Sequence, residues 1–368
     1  MTPIGVGVIG ASPEVGWAAH SHLPALRALA EFDLTAVATT RQESADLSAQ
    51  IFGAKNAFAN AEELVAHPDV DLVVVAVNVP QHAGLVQLAL EGGKDVVCDW
   101  PLARNTAEAR ELVEAVGRSG RSAWTMLQGR FSPPLAELRR LVEEGFVGRV
   151  TSVVVHSTTG MWGGPNIAPR SVYQLDVSNG ADLLAITGGH TIDSVCFALG
   201  GLKWVSSHSV IQYPQPTLAG TDETRDSNAP DLITMVGEFT NGAALLMHLH
   251  SGQQFGATTY LEVVGTDGSI RLDAPESPPP GLHRSGLLMR GATRGDAGPL
   301  RELQPDPAPS QGGLSEPAAR VSLYYQGLAR RILTGSGDDK LVDFVEAVRL
   351  HEALDAVRKS GLTPFHLA

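Results

Sequence analysis

The sequence predicts a two-domain α/β protein, with a doubly wound parallel sheet in its first part and an α+β domain with a large, mostly antiparallel open sheet in its second part. Three observations support this prediction. Val-rich runs without polar alternation recur through residues 1–130, which is typical of strands buried on both faces. Runs with a period of two follow through residues 131–368. A chain of 368 residues also exceeds what one compact core usually holds.

Residues 1–130 alternate strands and helices in the manner of a dinucleotide-binding Rossmann domain. The predicted strands are IGVGVIG (4–10), LTAVATT (34–40), DLVVVAV (71–77), DVVCDW (95–100) and SAWTML (122–127). The predicted helices are GWAAHSHLPALRALA (16–30), ESADLSAQIFG (43–53), EELVAH (62–67), HAGLVQLALEGG (82–93) and AEARELVEAVGRSG (107–120).

Residues 131–368 form the predicted substrate and oligomerisation domain. Its helices are predicted at 135–148, 181–201, 319–335 and 340–361, and its strands at 149–157, 203–213, 231–240, 243–252, 258–265 and 269–274. Residues 274–318 are rich in Pro and Gly, so we expect a long loop with one strand, GLLMRG. We expect the last two helices to pack back on the first domain, and the open sheet to mediate a homo-oligomer, a dimer or a tetramer.

Composition and charge exclude several classes of partner and location. The formal net charge of −13 would repel nucleic acid and anionic membranes at long range, so we expect neither as a partner. No apolar run is long enough to span a bilayer, and the first residues lack the basic segment of a signal peptide. Both cysteines lie in apolar segments, which favours a reducing, cytoplasmic location without disulfides.

The segment GASPEVGW joins the first strand to the first helix. Gly10 and Gly16 bracket this turn, as glycines do where a phosphate approaches the backbone. Ser12 stands in place of the usual second glycine, Pro13 offers no N–H, and the interval is one residue longer than in the standard motif. We predict that the segment, with Trp17, binds a dinucleotide pyrophosphate; an ordinary strand-to-helix turn is the alternative.

The end of the second strand predicts which dinucleotide is preferred. An acidic residue here would bind a ribose 2′-hydroxyl, but this chain has Thr39, Thr40 and Arg41. A neutral and cationic set suits a 2′-phosphate, so we expect NADP in preference to NAD. The alternative is that Arg41 only caps a solvated helix start.

Several segments resemble the glucose–fructose oxidoreductase / inositol dehydrogenase (Gfo/Idh/MocA) family over nearly the whole chain: VGVIG, AVNVPQHAGLVQLALEGGKDVVCDWPLA, LQGRFSPPL and GGHTID. The resemblance implies that residues near the family's T-P-x-x-x-H and nicotinamide segments contact the cofactor. These residues are Asn78, Val79, Pro80, His82 and Gln128.

The family's E-K-P segment, whose lysine usually handles the proton, is replaced by Asp99, Trp100 and Pro101. The resemblance places Asp99 and Trp100 at the cofactor and implies a cis peptide before Pro101. An indole N–H has no accessible lone pair, so Trp100 cannot take up a proton. It can form a flat wall for a nicotinamide or a sugar, or it can simply fill space at the strand end.

A family helix usually carries an aspartate and then a histidine. Here His190 is the histidine, Asp193 follows it, and one residue is inserted where the aspartate is expected. We expect His190 to be the acid–base group, although a structural histidine is nearly as good an interpretation. Tyr173 and Asp176 precede this helix and are further candidates for catalysis.

Two other histidine pairs have plainer interpretations. His20 and His22 lie in the first predicted helix, where we expect packing against the sheet. His248 and His250 share one face of a strand, but no Cys or acidic cluster accompanies them. We therefore predict no metal site and interpret that pair as part of a polar interface.

Three functions are compatible with these residues. The first is an NAD(P)-dependent oxidoreductase that acts on a sugar, a cyclitol or a related hydroxyl or carbonyl compound. The second is a dinucleotide-binding sensor without turnover, because loss of E-K-P is similar to the branch that contains the fungal galactose-regulon repressor. The third, which also occurs in relatives of this fold, is a hydro-lyase or glycoside-cleaving reaction that uses transient oxidation on tightly held NAD.

Overall fold

The computed structural model describes residues 2–253, 255–274, 281–296, 298–305, 312–337 and 339–361. The chain forms two compact units. The first consists of Met1–Phe131 and Pro309–Arg349, and the second of Ser132–Ala308 and Leu350–Ala368. Helices and strands are numbered below in chain order. Within the described residues, no helix is both long enough and apolar enough to cross a membrane.

The first unit contains a seven-stranded sheet with the order β17-β6-β5-β4-β1-β2-β3. Its strands are β1 (Ile4–Ile9), β2 (Phe32–Ala38), β3 (Asn56–Phe58), β4 (Leu72–Val75), β5 (Asp95–Asp99), β6 (Ala123–Met126) and β17 (Val342–Asp343). Only β17 is antiparallel to its neighbour. The parallel strands follow the doubly wound order, so their carboxyl ends meet at one edge of the sheet, where such folds bind ligands. The predicted Rossmann fold is confirmed.

Helices cover both faces of this sheet, so β1, β4 and the middle of β5 are buried along their lengths. These helices are α1 (Trp17–His20), α2 (His22–Arg27), α3 (Gln42–Phe52), α4 (Ala61–Ala66), α5 (His82–Glu91), α6 (Thr106–Ser119) and α9 (Glu316–Thr334). Side chains of α2, α9 and the central strands form one apolar cluster, which includes Val8, Val74, Leu26 and Leu328.

The prediction of one helix over residues 16–30 is wrong, because the chain breaks at Ser21. This residue has φ −138° and ψ −72°, outside the helical range, and separates α1 from α2. Its hydroxyl donates to the Trp17 carbonyl at 2.6 Å. Pro24 then falls in the first turn of α2, where a missing N–H costs no helical hydrogen bond.

The second unit contains an eight-stranded sheet with the order β16-β15-β14-β13-β7-β12-β11-β9. Its strands are β7 (Val150–Thr158), β9 (Leu202–Val210), β11 (Leu232–Phe239), β12 (Ala244–His250), β13 (Thr259–Gly265), β14 (Gly268–Ala274), β15 (Leu288–Thr293) and β16 (Arg301–Glu302). All neighbours are antiparallel except β7 and β12. The mostly antiparallel sheet is therefore confirmed. The short β8 (Asn166–Ile167) and β10 (Thr217–Leu218) pair separately.

The helices of this unit are α7 (Pro133–Glu143) and α8 (Gly189–Leu199), and α10 (Phe344–Lys359) crosses the division between the units at Arg349. The segment predicted as one helix over 181–201 begins instead with a π-helix, Leu184–Gly188. A π turn holds one residue more than an α turn, which matches the single inserted residue noted in the sequence. Of the predicted loop over 274–318, residues 275–280, 297 and 306–311 lie outside the described residues.

Candidate functional site

The glycine loop after β1 is fixed at its start and open at its end. The N–H groups of Gly10 and Ala11 donate to the Ala38 carbonyl at 3.0 and 3.2 Å. Gly10 has φ +90°, and a Cβ there would lie 2.2 Å from the Ala76 carbonyl oxygen. Gly16 has φ +108°, and a Cβ there would meet no atom within 4 Å. The loop can thus expose main-chain N–H groups to a phosphate at the Gly16 end.

The first helix contributes less to anion binding than the sequence predicts. It has only four residues, so its dipole is short. Ser12 and Pro13 are half-buried, residues 14–16 are exposed, and Trp17 is half-buried. Exposed loop amides, rather than a long helix, are what this segment offers to a pyrophosphate.

The end of β2 presents an exposed arginine on a turn whose backbone is held by hydrogen bonds. Thr39 Oγ1 lies 2.8 Å from the Arg41 carbonyl oxygen and 2.5 Å from Ser44 Oγ, so the turn into α3 is held. Arg41 is the N-cap residue of α3, but its side chain makes no capping hydrogen bond. Thr40 and Arg41 are exposed. Among the described residues, the Arg41 guanidinium has no ion-pair partner, so the expected 2′-phosphate contact would be available.

The loops after β4 and β5 are joined by His82. Its Nδ1 lies 2.8 Å from the Pro101 carbonyl oxygen, and its Nε2 lies 3.0 Å from the Val77 carbonyl oxygen. The ring is 1% exposed, so it positions these loops more than it offers a surface to a ligand. Asn78 is exposed before the turn Val79–Gln81, in which Val79 is buried and Pro80 is half-buried.

The peptide between Trp100 and Pro101 is cis, as the resemblance implies. Trp100 is only 5% exposed, so little of its ring is open to a ligand. Asp99, just before it, lies 2.9 Å (Oδ1) from His22 Nε2, and His22 Nδ1 lies 2.7 Å from the Tyr325 hydroxyl. The sequence does not reveal this set, because Tyr325 follows His22 by 303 positions.

Gln128 offers a buried hydrogen-bond acceptor at this edge of the sheet. It follows β6, is 2% exposed, and its Oε1 has no hydrogen-bond partner among the described residues. A buried amide oxygen without a donor is uncommon, and a carboxamide such as that of nicotinamide would satisfy it. Arg130, two residues later, is instead paired with Glu346 at 2.8 Å. The loops at this edge therefore fit a pyridine dinucleotide.

In the second unit, His190 lies in the first turn of α8 and is 7% exposed. Its Nδ1 has no hydrogen-bond partner among the described residues. Burial, with a smaller effect of the nearby Arg284 charge, lowers the pKa of His190 to about 3. A neutral imidazole of this kind accepts hydrogen bonds but takes up a proton poorly at neutral pH. Asp193, one turn later, is 3% exposed.

The other two catalytic candidates precede that helix: Tyr173 lies on a 3₁₀ turn, and Asp176 lies between this turn and the next. Tyr173 is half-buried, and burial raises the pKa of its hydroxyl. Asp176 is exposed and accepts the Ser178 N–H at 2.9 Å, and this bond lowers the pKa of the carboxyl group. Asp176 therefore stays ionised and is a weak base, while Tyr173 stays protonated and can donate a hydrogen bond.

Histidines on the open face of the second sheet stack on one another and on Tyr260. No group of three or more His, Cys, Asp or Glu side chains suited to a metal ion occurs in the part of the chain that the structure describes. His248 instead stacks on His156 with centroids 5.3 Å apart, and His156 stacks on Tyr260 at the same distance.

Two family models match the chain. One, described as an oxidoreductase family with an NAD-binding Rossmann fold (Gfo/Idh/MocA), matches residues 4–126. The other, the C-terminal domain of Gal80p, matches residues 133–274. The matches divide the chain at nearly the same position as the first division between its two compact units.

Relatives include both enzymes and regulators. Dehydrogenase aclE of Aspergillus oryzae is 28% identical over 67% of this chain and 69% of the relative. The galactose/lactose metabolism regulatory protein GAL80 of Saccharomyces cerevisiae is 26% identical over 74% of this chain and 67% of the relative.

Solved structures share the fold at lower identity. A super-repressor mutant of that Gal80p has a TM-score of 0.84 at 22% identity, covering 98% of this chain and 96% of its own. Levoglucosan dehydrogenase in complex with NADH and levoglucosan has a TM-score of 0.82 at 20% identity, covering 98% and 97%. The chain is thus similar to the Gfo/Idh/MocA oxidoreductase family over residues 4–126 and to the C-terminal domain of Gal80p over residues 133–274, and it shares its fold with solved structures of both kinds.

Proposed function

We propose that the protein is an NADP-preferring oxidoreductase that acts on a hydroxyl or carbonyl group of a sugar, a cyclitol or a related compound. The observation that carries this proposal is the carboxyl edge of the first sheet. The open end of the glycine loop, the exposed Arg41 and the unsatisfied Gln128 oxygen follow β1, β2 and β6 at that edge. Together they suit the pyrophosphate, the 2′-phosphate and the carboxamide of one dinucleotide.

The preference for NADP over NAD depends on Arg41. The family binds NAD, and levoglucosan dehydrogenase was solved with NADH. This chain has no acidic residue at Thr39, Thr40 or Arg41 to bind a ribose 2′-hydroxyl, and a guanidinium pairs well with a phosphate. We therefore expect the 2′-phosphate to add affinity.

The protonation states of His190 and Tyr173 suggest how each would contact a substrate. When bound, the cofactor would supply the nicotinamide ring that exchanges a hydrogen with the substrate. His190, neutral and with an unsatisfied Nδ1, would accept a hydrogen bond from a substrate hydroxyl. The Tyr173 hydroxyl, which stays protonated, would donate one. A substrate rich in hydroxyl groups, as a sugar is, matches this set.

A sensor without turnover is the second candidate, and two observations favour it. Trp100, at the position of the family lysine, cannot take up a proton, and His190, with its pKa of about 3, takes one up poorly. The second unit also matches the model of the C-terminal domain of Gal80p, and Gal80 of Saccharomyces cerevisiae is a regulatory protein.

Cofactor titration and turnover assays separate these functions. Quenching of the intrinsic tryptophan fluorescence is expected to show tighter binding of NADPH than of NADH. Protein with NADP⁺ and a panel of sugars and cyclitols is then followed by nicotinamide absorbance. Reduction with one substrate class supports the enzyme, whereas silence with proven cofactor binding supports the sensor. No binding of either cofactor would overturn both proposals.

We also propose a homo-oligomer formed through the open face of the second sheet, and a reducing, cytoplasmic location, which fits two cysteines that form no disulfide among the described residues. On that face Leu246 and Leu288 are 46% and 44% exposed. Leu246→Glu should shift the protein to a smaller species in sedimentation analysis. Leu333→Glu, on α9 and 37% exposed, is the control that should not.

A further inference from the structure

A hydrogen-bonded chain of three side chains ends at the carboxyl edge of the first sheet. Tyr325 lies on α9, His22 on α2 and Asp99 at the end of β5. The distances are 2.7 Å from the Tyr325 hydroxyl to His22 Nδ1, and 2.9 Å from His22 Nε2 to Asp99 Oδ1. His22 and Tyr325 are fully buried, whereas the Asp99 side chain is 13% exposed.

For a neutral His22 ring beside an ionised carboxylate, the chemistry of the three groups fixes the direction of these hydrogen bonds. An ionised carboxylate only accepts, so Nε2 of His22 carries the hydrogen and donates to Asp99. With Nε2 protonated, Nδ1 of a neutral ring must accept, so the Tyr325 hydroxyl donates to it. The chain therefore holds one oxygen of Asp99 in place from the protein interior.

The other oxygen of Asp99 is left for a ligand. Among the described residues, Asp99 Oδ2 makes no hydrogen bond. Of the three hydrogen-bonded side chains, only that of Asp99 reaches solvent. Asp99 also lies directly before Trp100, at the strand end where we expect the nicotinamide ring. A carboxylate in this position can accept a hydrogen bond or a proton from a substrate hydroxyl.

Three ionisable groups near Asp99 are kept neutral by burial. Burial, with a smaller effect of the Asp99 charge, raises the pKa of the Cys98 thiol and of the Tyr324 hydroxyl well above their usual values. Burial likewise raises the pKa of Tyr325. All three groups thus stay neutral and add no negative charge beside Asp99.

We propose that Asp99 is the proton acceptor that replaces the absent lysine, and that His22 and Tyr325 are its positioning residues. This inference rests on the proposed oxidoreductase function. In oxidation, the hydroxyl proton would move to Asp99 Oδ2, and the nicotinamide ring of a bound NADP⁺ would supply the acceptor for the C–H hydrogen and its bonding electron pair. The O–H electron pair then forms the C=O bond. In reduction, the Asp99 carboxylic acid returns its proton to the alkoxide oxygen.

The test uses the full-length protein and a readout that does not need turnover. Asp99→Asn keeps an oxygen for the His22 N–H but removes the charge and the basic site. NADP⁺ carries a positive nicotinamide ring and NADPH does not, so Asp99→Asn should weaken NADP⁺ binding about tenfold and change NADPH binding less than about twofold. Asp95→Asn, at the opposite end of β5, removes a carboxylate that accepts the Ser122 N–H and should alter neither affinity.

The cofactor affinities separate failure of the proposed function from failure of the role of Asp99. Failure of the unaltered protein to bind either cofactor overturns the proposed function itself, and this inference with it. Binding with the same NADP⁺ to NADPH affinity ratio in Asp99→Asn and the unaltered protein overturns the role of Asp99 alone. If circular dichroism shows that Asp99→Asn is unfolded, Tyr325→Phe is measured in its place. The NADP⁺ to NADPH affinity ratio should then shift about threefold, and an unchanged ratio refutes the positioning role of His22 and Tyr325. For any substrate found, Asp99→Asn should also lower turnover at least about 100-fold.

Discussion

The imidazole rings of His190 and His283 lie parallel, with their centroids 4.1 Å apart and an angle of 6° between their planes. Both rings are 7% exposed. Burial, with a smaller effect of the Arg284 charge, lowers the pKa of His190 to about 3, so this ring is neutral at pH 7. Protonation of the buried His190 ring at lower pH therefore opposes folding.

Replacement of His190 by Gln should change how stability depends on pH. The folded-state pKa of about 3 lies below the ordinary value of 6.5, so the unfolded chain binds more protons between these values. The native state is thus fully favoured above pH 6.5 and loses about 1.4 kcal/mol per pH unit as the pH falls toward 3. Urea unfolding at pH 7, 6 and 5 should show a flatter dependence in His190→Gln. His20→Gln, at an exposed position, should keep the original slope.

Gly10→Ala should destabilise the fold more than Gly16→Ala. Both positions have positive φ, which costs about 1–3 kcal/mol in a non-glycine residue. At Gly10 the new Cβ would also lie 2.2 Å from the Ala76 carbonyl oxygen, so we expect about 2 kcal/mol beyond the strain. Thermal unfolding measures the difference. Gly16→Ala should retain most stability yet lose NADPH affinity; equal melting temperatures for the two variants would contradict the tight turn at Gly10.

The fold could be predicted from the sequence because burial on both faces leaves a plain signal. Strands such as β4, with four consecutive buried residues, show no polar alternation, and the strands of the second unit show a clear period of two. The break at Ser21 could not be predicted. The apolar spacing continues through it, and only a serine hydroxyl and Pro24 mark the change.

The candidate site was predicted only where its residues are close in sequence. The glycine loop and the end of β2 are local, and their residues are placed as expected at one edge of the sheet. The link between His22 and Tyr325 depends on α2 and α9 packing together, across 303 positions. The low pKa of His190 depends on burial and on Arg284, neither of which is visible in the local sequence.

Arg41→Ala should change the cofactor preference without affecting the fold. The side chain is exposed and makes no capping hydrogen bond, so stability should change by less than about 0.5 kcal/mol. Loss of one guanidinium contact to a 2′-phosphate should weaken NADPH binding about tenfold and leave NADH binding unchanged. Arg121→Ala, exposed before the start of β6 at the opposite edge, is the matched control. An equal loss for NADH and NADPH would contradict the 2′-phosphate contact.

Arg358→Ala should be among the more destabilising surface substitutions of the second unit. Arg358 Nη2 lies 2.8 Å from Asp182 Oδ2, and the Asp182 side chain is 1% exposed whereas that of Arg358 is 30% exposed. Removal of the guanidinium leaves a buried carboxylate with the Ala185 N–H as its remaining described partner, which should cost about 2–4 kcal/mol. Lys359→Ala removes a neighbouring cation that is 79% exposed and lies 3.8 Å from Asp355, and it should cost less than about 0.5 kcal/mol.

A second variant separates the charge from the packing of Arg358. Asp182→Asn in the Arg358→Ala background removes the unpaired buried charge and keeps the oxygen that accepts the Ala185 N–H. Urea unfolding of the two single variants and the double variant should therefore show that the double variant regains at least about 1 kcal/mol over Arg358→Ala. If the losses are instead additive, the two side chains do not stabilise each other. The cost of Arg358→Ala then comes from the lost packing of the Arg358 methylene groups.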